Sequence, residues 1–382
     1  MSFFVRAGKD LSGKYIREGI KMNEEIKEVA ETAETAAETT VQAAETAEEA
    51  IGEVSETAAE TVAEAAENAG GEVSEAPEAG AEKPEEQKKP PNKFVQYLLT
   101  GIVSTYVMAF FLMIYGQGLG AFITSIIMEV AGLNTDEHPV AQTAYMYIAF
   151  TGIWVVYTIL IVLLRKKYEY ARKICHKVTG KSFVLGIAGF LIVGGMNFIC
   201  ILASWLNGDI ELYFDRFELM PLLFLLFAVF VQSSAEELVC RGFVYRRVER
   251  RYPHPAVFFL ANSLFFALLH LGNNGVTLLS LLNIALTGIL FSISVYYTDS
   301  LAFAFAGHAG WNYCQSIVFG LPNSGNVFPY SMFRLDASTA RDSFFYNVGF
   351  GVEGTYFSVI VLVLGCLLLF GYYFLKTRKK AA

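Results

Sequence analysis

Met220-Pro221-Leu222-Leu223-Phe224 opens an apolar run that continues through Val231 and then takes in Glu236-Glu237-Leu238-Val239-Cys240-Arg241. The run has the composition of a membrane helix, and three charges inside it are expensive because apolar surroundings disfavour ionised side chains. A chain that keeps them needs partners for them. Later apolar stretches supply candidates, Phe266-x-x-x-His270 on one and His308-x-x-x-Asn312 on another.

The surrounding composition agrees with a polytopic membrane protein carrying a polar appendage. Of 382 residues 54% are hydrophobic, and the mean hydropathy is +0.41. The net charge of -8 is unevenly spread: residues 1–92 hold 22 acidic and 9 basic side chains, the remainder 15 and 20. The chain thus divides into an acidic Glu/Ala/Thr-rich extension, 1–92, and a mildly basic apolar body, 93–382. In the extension Glu34, Glu38, Glu45, Glu49, Glu53, Glu56 and Glu60 fall on one helical stripe, but no large apolar seam accompanies them. A labile helix or disorder is expected there, ending in a linker at Gly70-Gly71, Pro77, Pro84 and Pro90-Pro91. The five cysteines are scattered and make no CxxC pair, so they read as small reduced hydrophobes.

A spanning helix needs about 20 mostly apolar residues. On that measure the fold class is all-α, with about eight transmembrane helices at 96–130 (with a break at Gly116-Gln117-Gly118), 142–164, 183–206, 219–245, 255–272, 276–297, 300–319 and 354–375. Basic clusters lie before the first span, between the second and third, at Arg246, Arg247, Arg250 and Arg251, and at the C-terminus. With eight spans all four clusters fall on one side, which places both termini in the cytoplasm. The loop 320–353 then lies outside, as an ordinary connection or a lid.

Within the fourth span Glu237 and Arg241 are four apart with the acid first, the favourable order for an ion pair. Glu236 is left without a local cation, and desolvation is expected to raise its pKa towards that of a general base. Cys240 and Phe266 share helix faces with Glu236 and His270 and are expected to line the site. His308 and Asn312 share a face, with Ala304, Gly307, Ala309 and Gly310 permitting close helix approach. A purely structural network of these polar groups is the bland alternative. The chemical one is peptide hydrolysis: Glu236 with His270 deprotonating water, and Asn312 with His308 donating to the oxyanion. Glu236, His270 and His308 also make a two-His, one-carboxylate set that suits zinc, so a metal version stays open, although no HExxH is present.

Glu236-Glu237-x-x-x-Arg241-Gly242, Phe266-x-x-x-His270 and His308-x-x-x-Asn312, in that order on separate apolar spans, resemble the three motifs of the CPBP family. This family contains the type II CAAX prenyl proteases and the Abi bacteriocin-processing or immunity proteins. The likeness covers about residues 220–320. It implies a glutamate-dependent intramembrane endopeptidase with an eight-helix core. Glu236 and His270 would activate water, His308 and Asn312 form the oxyanion hole, and Glu237 pair with Arg241. Expected partners are the lipid bilayer and a peptide or membrane-protein substrate, with no nucleic acid. The expected location is a membrane, taken as the bacterial plasma membrane. A non-catalytic scaffold or immunity factor is the alternative; a transporter is disfavoured by the lack of repeat symmetry.

One condition attaches to the enzyme. By helical rise Glu236 and His308 lie roughly 15 Å from the cytoplasmic helix ends, and His270 roughly 25 Å. The three groups must nevertheless converge, and cleavage is expected near the cytoplasmic leaflet.

Overall fold

The computed structural model describes residues 93–133, 138–163 and 179–381. These belong to one compact unit, Lys89–Ala382; the acidic extension 1–92 lies outside the described residues. Helices dominate, and eight helical segments occupy the eight expected stretches. They are α1 (Lys93–Val130), the bent pair α2 (Pro139–Ile148) and α3 (Thr151–Leu163), and α4 (Gly180–Leu206). Next comes α5 (Leu219–Glu237), continuing through a π-helical stretch Leu238–Val244 into α6 (Tyr245–Arg251). Then follow α7 (Pro255–Leu268), α8 (Leu278–Thr298), α9 (Ala302–Asn312) with a π-helical extension Tyr313–Val318, and α10 (Tyr356–Ala381).

Among the described residues six segments are long and apolar enough to cross a membrane. Pro255–Leu268, just before His270, is shorter, and so is α9 with its extension, which carries His308 and Asn312. Large apolar side chains such as Phe122, Leu191 and Leu368 are exposed on α1, α4 and α10, as an integral membrane protein requires where it meets lipid.

Local sequence explains the helix ends. Thr179 with Ser182 and Thr277 with Ser280 form reciprocal capping boxes at the starts of α4 and α8. Pro139 and Pro255 take first-turn positions in α2 and α7, where their missing N–H costs nothing. The expected break at Gly116-Gln117-Gly118 does not occur: α1 runs unbroken from Lys93 to Val130. Its glycines serve contact instead. A Cβ on Gly116 would come within 2.7 Å of the Ile153 backbone, and one on Gly120 within 1.7 Å of the Ala149 carbonyl oxygen. The helix keeps its hydrogen bonds and uses the missing side chains to let α3 approach.

The same device joins α4 to α9. A Cβ on Gly189 would lie 2.3 Å from the Phe303 carbonyl oxygen, and one on Gly310 2.6 Å from that of Phe190. The segment between α9 and α10 is ordered by a two-stranded antiparallel sheet, β1 (Leu212–Phe214) with β2 (Phe333–Leu335), in register Tyr213 to Arg334.

Candidate functional site

One tie sets the depth of the polar groups. Arg246 on α6 pairs with Asp299, which caps the C-terminus of α8. From that tie Glu236 lies ten residues back along α5–α6, and His308 nine residues on along α9, so the two arrive at one level. The helix bearing Glu236 runs on to Arg251, six residues beyond the expected end at 245. Glu236 therefore precedes that end by 15 residues, and His270 follows the start of α7 at Pro255 by 15. Both are roughly 22 Å from the turn at 252–254. The depth mismatch expected from sequence came from ending the fourth helix too early.

The polar groups make one connected set. Oε1 of Glu237 accepts from Arg241 Nη1 at 2.8 Å and from His308 Nδ1 at 3.0 Å. Glu237 and Arg241 are fully buried. The guanidinium also lies over the rings of Phe266 and Phe291, 4.5 and 5.4 Å from their centroids. Because Glu237 occupies Nδ1 of His308, the other ring nitrogen, Nε2, faces Glu236 Oε2 at 3.8 Å. That separation is too long for a direct hydrogen bond and short enough for one water to touch both. Glu236 Oε2 has no hydrogen-bond partner among the described residues. Its other oxygen accepts from Gln232 Nε2 at 2.6 Å.

Asn312 is held at three points. Its amide nitrogen donates to Gln232 Oε1 at 3.1 Å and reaches Ser233 Oγ at 3.4 Å, and its oxygen accepts from Asn323 Nδ2 at 3.1 Å. Gln232 thus ties Glu236 to Asn312. Sequence reasoning passed over it, yet the signal was available: it stands one helical turn before Glu236, a lone amide at the end of an apolar run.

His270 lies just beyond the end of α7, and its Nδ1 meets the Phe266 carbonyl oxygen at 2.8 Å. A carbonyl only accepts, so Nδ1 carries the proton and Nε2 keeps its lone pair free. Glu236, Phe266, His270, His308 and Asn312 all line one cavity of about 440 Å³. Cys240 does not: it is fully buried in the apolar core. The helix is π-helical after Glu237, with Tyr245 N–H bonding back five residues to Cys240. A second π-helical stretch follows Asn312, where Phe319 N–H reaches Cys314.

Loop 320–353 covers the cavity, with Asn323, Ser324, Asn326 and Phe328 in its wall. A buried acid that sequence reasoning missed secures it. Glu353 accepts from Trp311 Nε1 at 2.7 Å and from the backbone and hydroxyl of Ser324 at 2.6 and 2.9 Å. Burial pushes its carboxyl above the usual range, against the pull of the Ser324 and Trp311 hydrogen bonds. As for the zinc alternative, no three His, Cys, Asp or Glu side chains converge to hold an ion among the described residues. Glu237 on Nδ1 of His308 does not weigh against zinc, since a metal-bound histidine usually gives its other N–H to a carboxylate; the spacing of Glu236, His270 and His308 does.

No curated protein matches the chain. The stretch that contributes Glu236, His270, His308 and Asn312 does match a family model: residues 218–314 are similar to the Type II CAAX prenyl endopeptidase Rce1-like family.

Proposed function

We propose that this chain is an intramembrane endopeptidase that hydrolyses a peptide bond of a peptide or membrane-protein substrate with water activated by Glu236 and His270. The observation that carries the reading is the unpartnered Glu236 Oε2, facing His308 Nε2 across 3.8 Å inside the cavity that also holds His270 and Asn312. A water touching Glu236 Oε2 loses a proton to that carboxylate as its oxygen attacks the scissile carbonyl carbon. His270, with Nδ1 fixed on Phe266, offers the Nε2 lone pair to orient the same water. The oxyanion then forms beside the Asn312 amide and the His308 ring. Nδ1 of His308 donates to Glu237, so Nε2 donates to the oxyanion only while it too carries a proton. The proton held by Glu236 passes to the leaving amine as the C–N bond breaks. Glu237 and Arg241 take no proton; they fix the ring of His308.

The test uses the purified full-length protein in detergent with a mixed set of internally quenched peptides. Cleavage is expected, with loss in Glu236→Gln and His308→Ala. Full activity in either variant overturns the mechanism. Absence of any cleavage by the wild type favours a non-catalytic scaffold or immunity factor that binds peptide in the same cavity. Activity that survives strong chelation supports the water mechanism, and its loss moves Glu236, His270 and His308 to the zinc version.

A further inference from the structure

The stretch of loop 320–353 nearest Asn312 is fixed from several sides. Asn323 and Asn326 exchange backbone hydrogen bonds at 2.8 and 2.9 Å, closing a turn in which Gly325 takes a φ of +81°. Gln315 donates to the Pro322 carbonyl at 2.5 Å and is itself held by Asn197 at 2.6 Å. On the other side Glu353 accepts from the Ser324 backbone, and Asn273 donates to the Ser324 carbonyl at 2.9 Å. With its backbone engaged in the turn, Asn323 directs a buried side chain towards α9 and its extension. There Nδ2 donates to Asn312 Oδ1 at 3.1 Å and reaches Ser316 Oγ at 3.5 Å.

Asn312 stands within a line of four side chains. Asn323 donates to Asn312, Asn312 to Gln232 Oε1 at 3.1 Å, and Gln232 to Glu236 Oε1 at 2.6 Å. Each inner amide has one donating and one accepting end, so all three links must run the same way. The carboxylate decides which way. It only accepts, so Gln232 must face it with nitrogen, Asn312 must face Gln232 with nitrogen, and the outermost residue must donate. The hydroxyl of Ser233, donating to the same Gln232 oxygen at 3.1 Å, agrees with that order. Asparagine at 323 supplies the donor. A carboxylate there would put acceptors at both ends and leave one of the three links with two oxygens facing each other.

We propose that Asn323 is a positioning residue of the site: loop 320–353 delivers the outermost donor of a directed relay, Asn323 to Asn312 to Gln232 to Glu236. The relay holds the amide nitrogen of Asn312 towards α5 and its oxygen towards the loop. A donor to an oxyanion works by being aimed before the charge develops, and this order aims it. The positioning role rests on the endopeptidase reading, in which the Asn312 amide serves the oxyanion; the direction of the relay does not. Loop 320–353 is then a working part of the site as well as its cover.

The experiment follows thermal unfolding of the full-length protein in detergent at about pH 8, where a carboxyl is ordinarily ionised. Asn323→Asp is made in the wild type, in Glu236→Gln and in Gln232→Leu. In the wild type it is expected to lower the apparent Tm by about 2–12 °C, the cost of one unmet buried link. In Glu236→Gln the relay can reverse, because an amide at 236 can donate; in Gln232→Leu the relay is cut. The loss should be at most about half as large in both backgrounds. Equal losses in all three make Asn323 a packing residue and overturn the relay. Relief in Glu236→Gln but not in Gln232→Leu marks direct repulsion between carboxylates and overturns it too, as does an unchanged Tm in the wild type. For the positioning role, kcat of Asn323→Asp should fall by about 10²–10³-fold with KM unchanged. A raised KM at unchanged kcat overturns that role. A wild type that cleaves nothing ends the endopeptidase reading and the positioning role with it, while the Tm comparison decides the relay by itself.

Discussion

Glu236 and Glu237 are neighbours of identical chemistry, and the structure gives them opposite debts. Replacing Glu237 by Gln removes the carboxylate that Arg241 and His308 share, at 2.8 and 3.0 Å. Arg241 stays fully buried, with Nε and Nη2 already lacking hydrogen-bond partners among the described residues. Breaking one partner of a buried pair costs about 3–5 kcal/mol. At about 2–4 °C per kcal/mol, the apparent Tm should fall by about 6–20 °C. Glu236→Gln is a different perturbation. The new amide oxygen still accepts from Gln232 Nε2, now at 2.6 Å, and no buried guanidinium loses its partner, because Arg241 pairs with Glu237. Its stability should stay within about 1 kcal/mol of wild type. Its turnover should fall by about 10²–10⁴-fold, the usual worth of a general base. Thermal scans of detergent-purified protein with a thiol-reactive dye suit the comparison, because Cys200 and Cys240 are buried until the fold opens. Peptide cleavage is read in parallel. Equal melting of the two variants, or wild-type melting of Glu237→Gln, would refute the division of labour.

Three further outcomes are expected. Gln232→Leu removes a hydrogen bond to an ionised partner, worth about 1.5–3 kcal/mol, so kcat should fall by about 10–100-fold while Glu236 remains; an unchanged kcat leaves Gln232 without a positioning role. Gly310→Leu forces a side chain to within 2.6 Å of the Phe190 carbonyl oxygen and should cost about 1–3 kcal/mol, read as a lower Tm. Asp209 feels burial raising its pKa, but hydrogen bonds from Ser343, Asn207 and Arg341 outweigh it and hold the carboxyl below its usual value. Its contribution is therefore complete above the ordinary carboxylate range and is lost as pH falls through that range and below. Thermal scans from neutral pH down to about pH 3 should show a decline that is shallower in Asp209→Asn.

Much of this architecture is written in apolar runs and charge clusters, because a membrane core demands long uninterrupted helices and says so in composition. The helix pair Glu237–Arg241 was equally plain, since a four-residue spacing fixes a shared face locally. What the chain hides is anything that depends on where helices end relative to one another. The six residues by which α6 outruns its expected end decide whether Glu236 and His270 stand level, and no residue type between Arg246 and Arg251 announces this. His308 was expected to serve the oxyanion or, with Glu236 and His270, a metal. Its bond to Glu237 is a contact between residues 71 apart in the chain, and nothing in local spacing encodes it. Glu353 was missed for a similar reason: it sits in a polar loop and becomes buried only when the loop folds over α9.

The two π-helical stretches have a consequence for how this site tolerates insertion and deletion. Each widens its helix directly after functional groups, Glu236 and Glu237 in one and Asn312 in the other. A widened turn holds more residues than the α-helix it replaces, so one residue can be excised without shortening the path. Excising Val239 would let the helix close to α geometry with the segments on either side still in phase, and would set Arg241 three residues from Glu237, a spacing that also shares a face. The same excision in an α-helical stretch turns everything beyond it by about 100°. A single-residue gap at 238–244 or 313–318 is thus a change of length that the catalytic frame absorbs, where a gap elsewhere in these helices would carry functional groups off their partners.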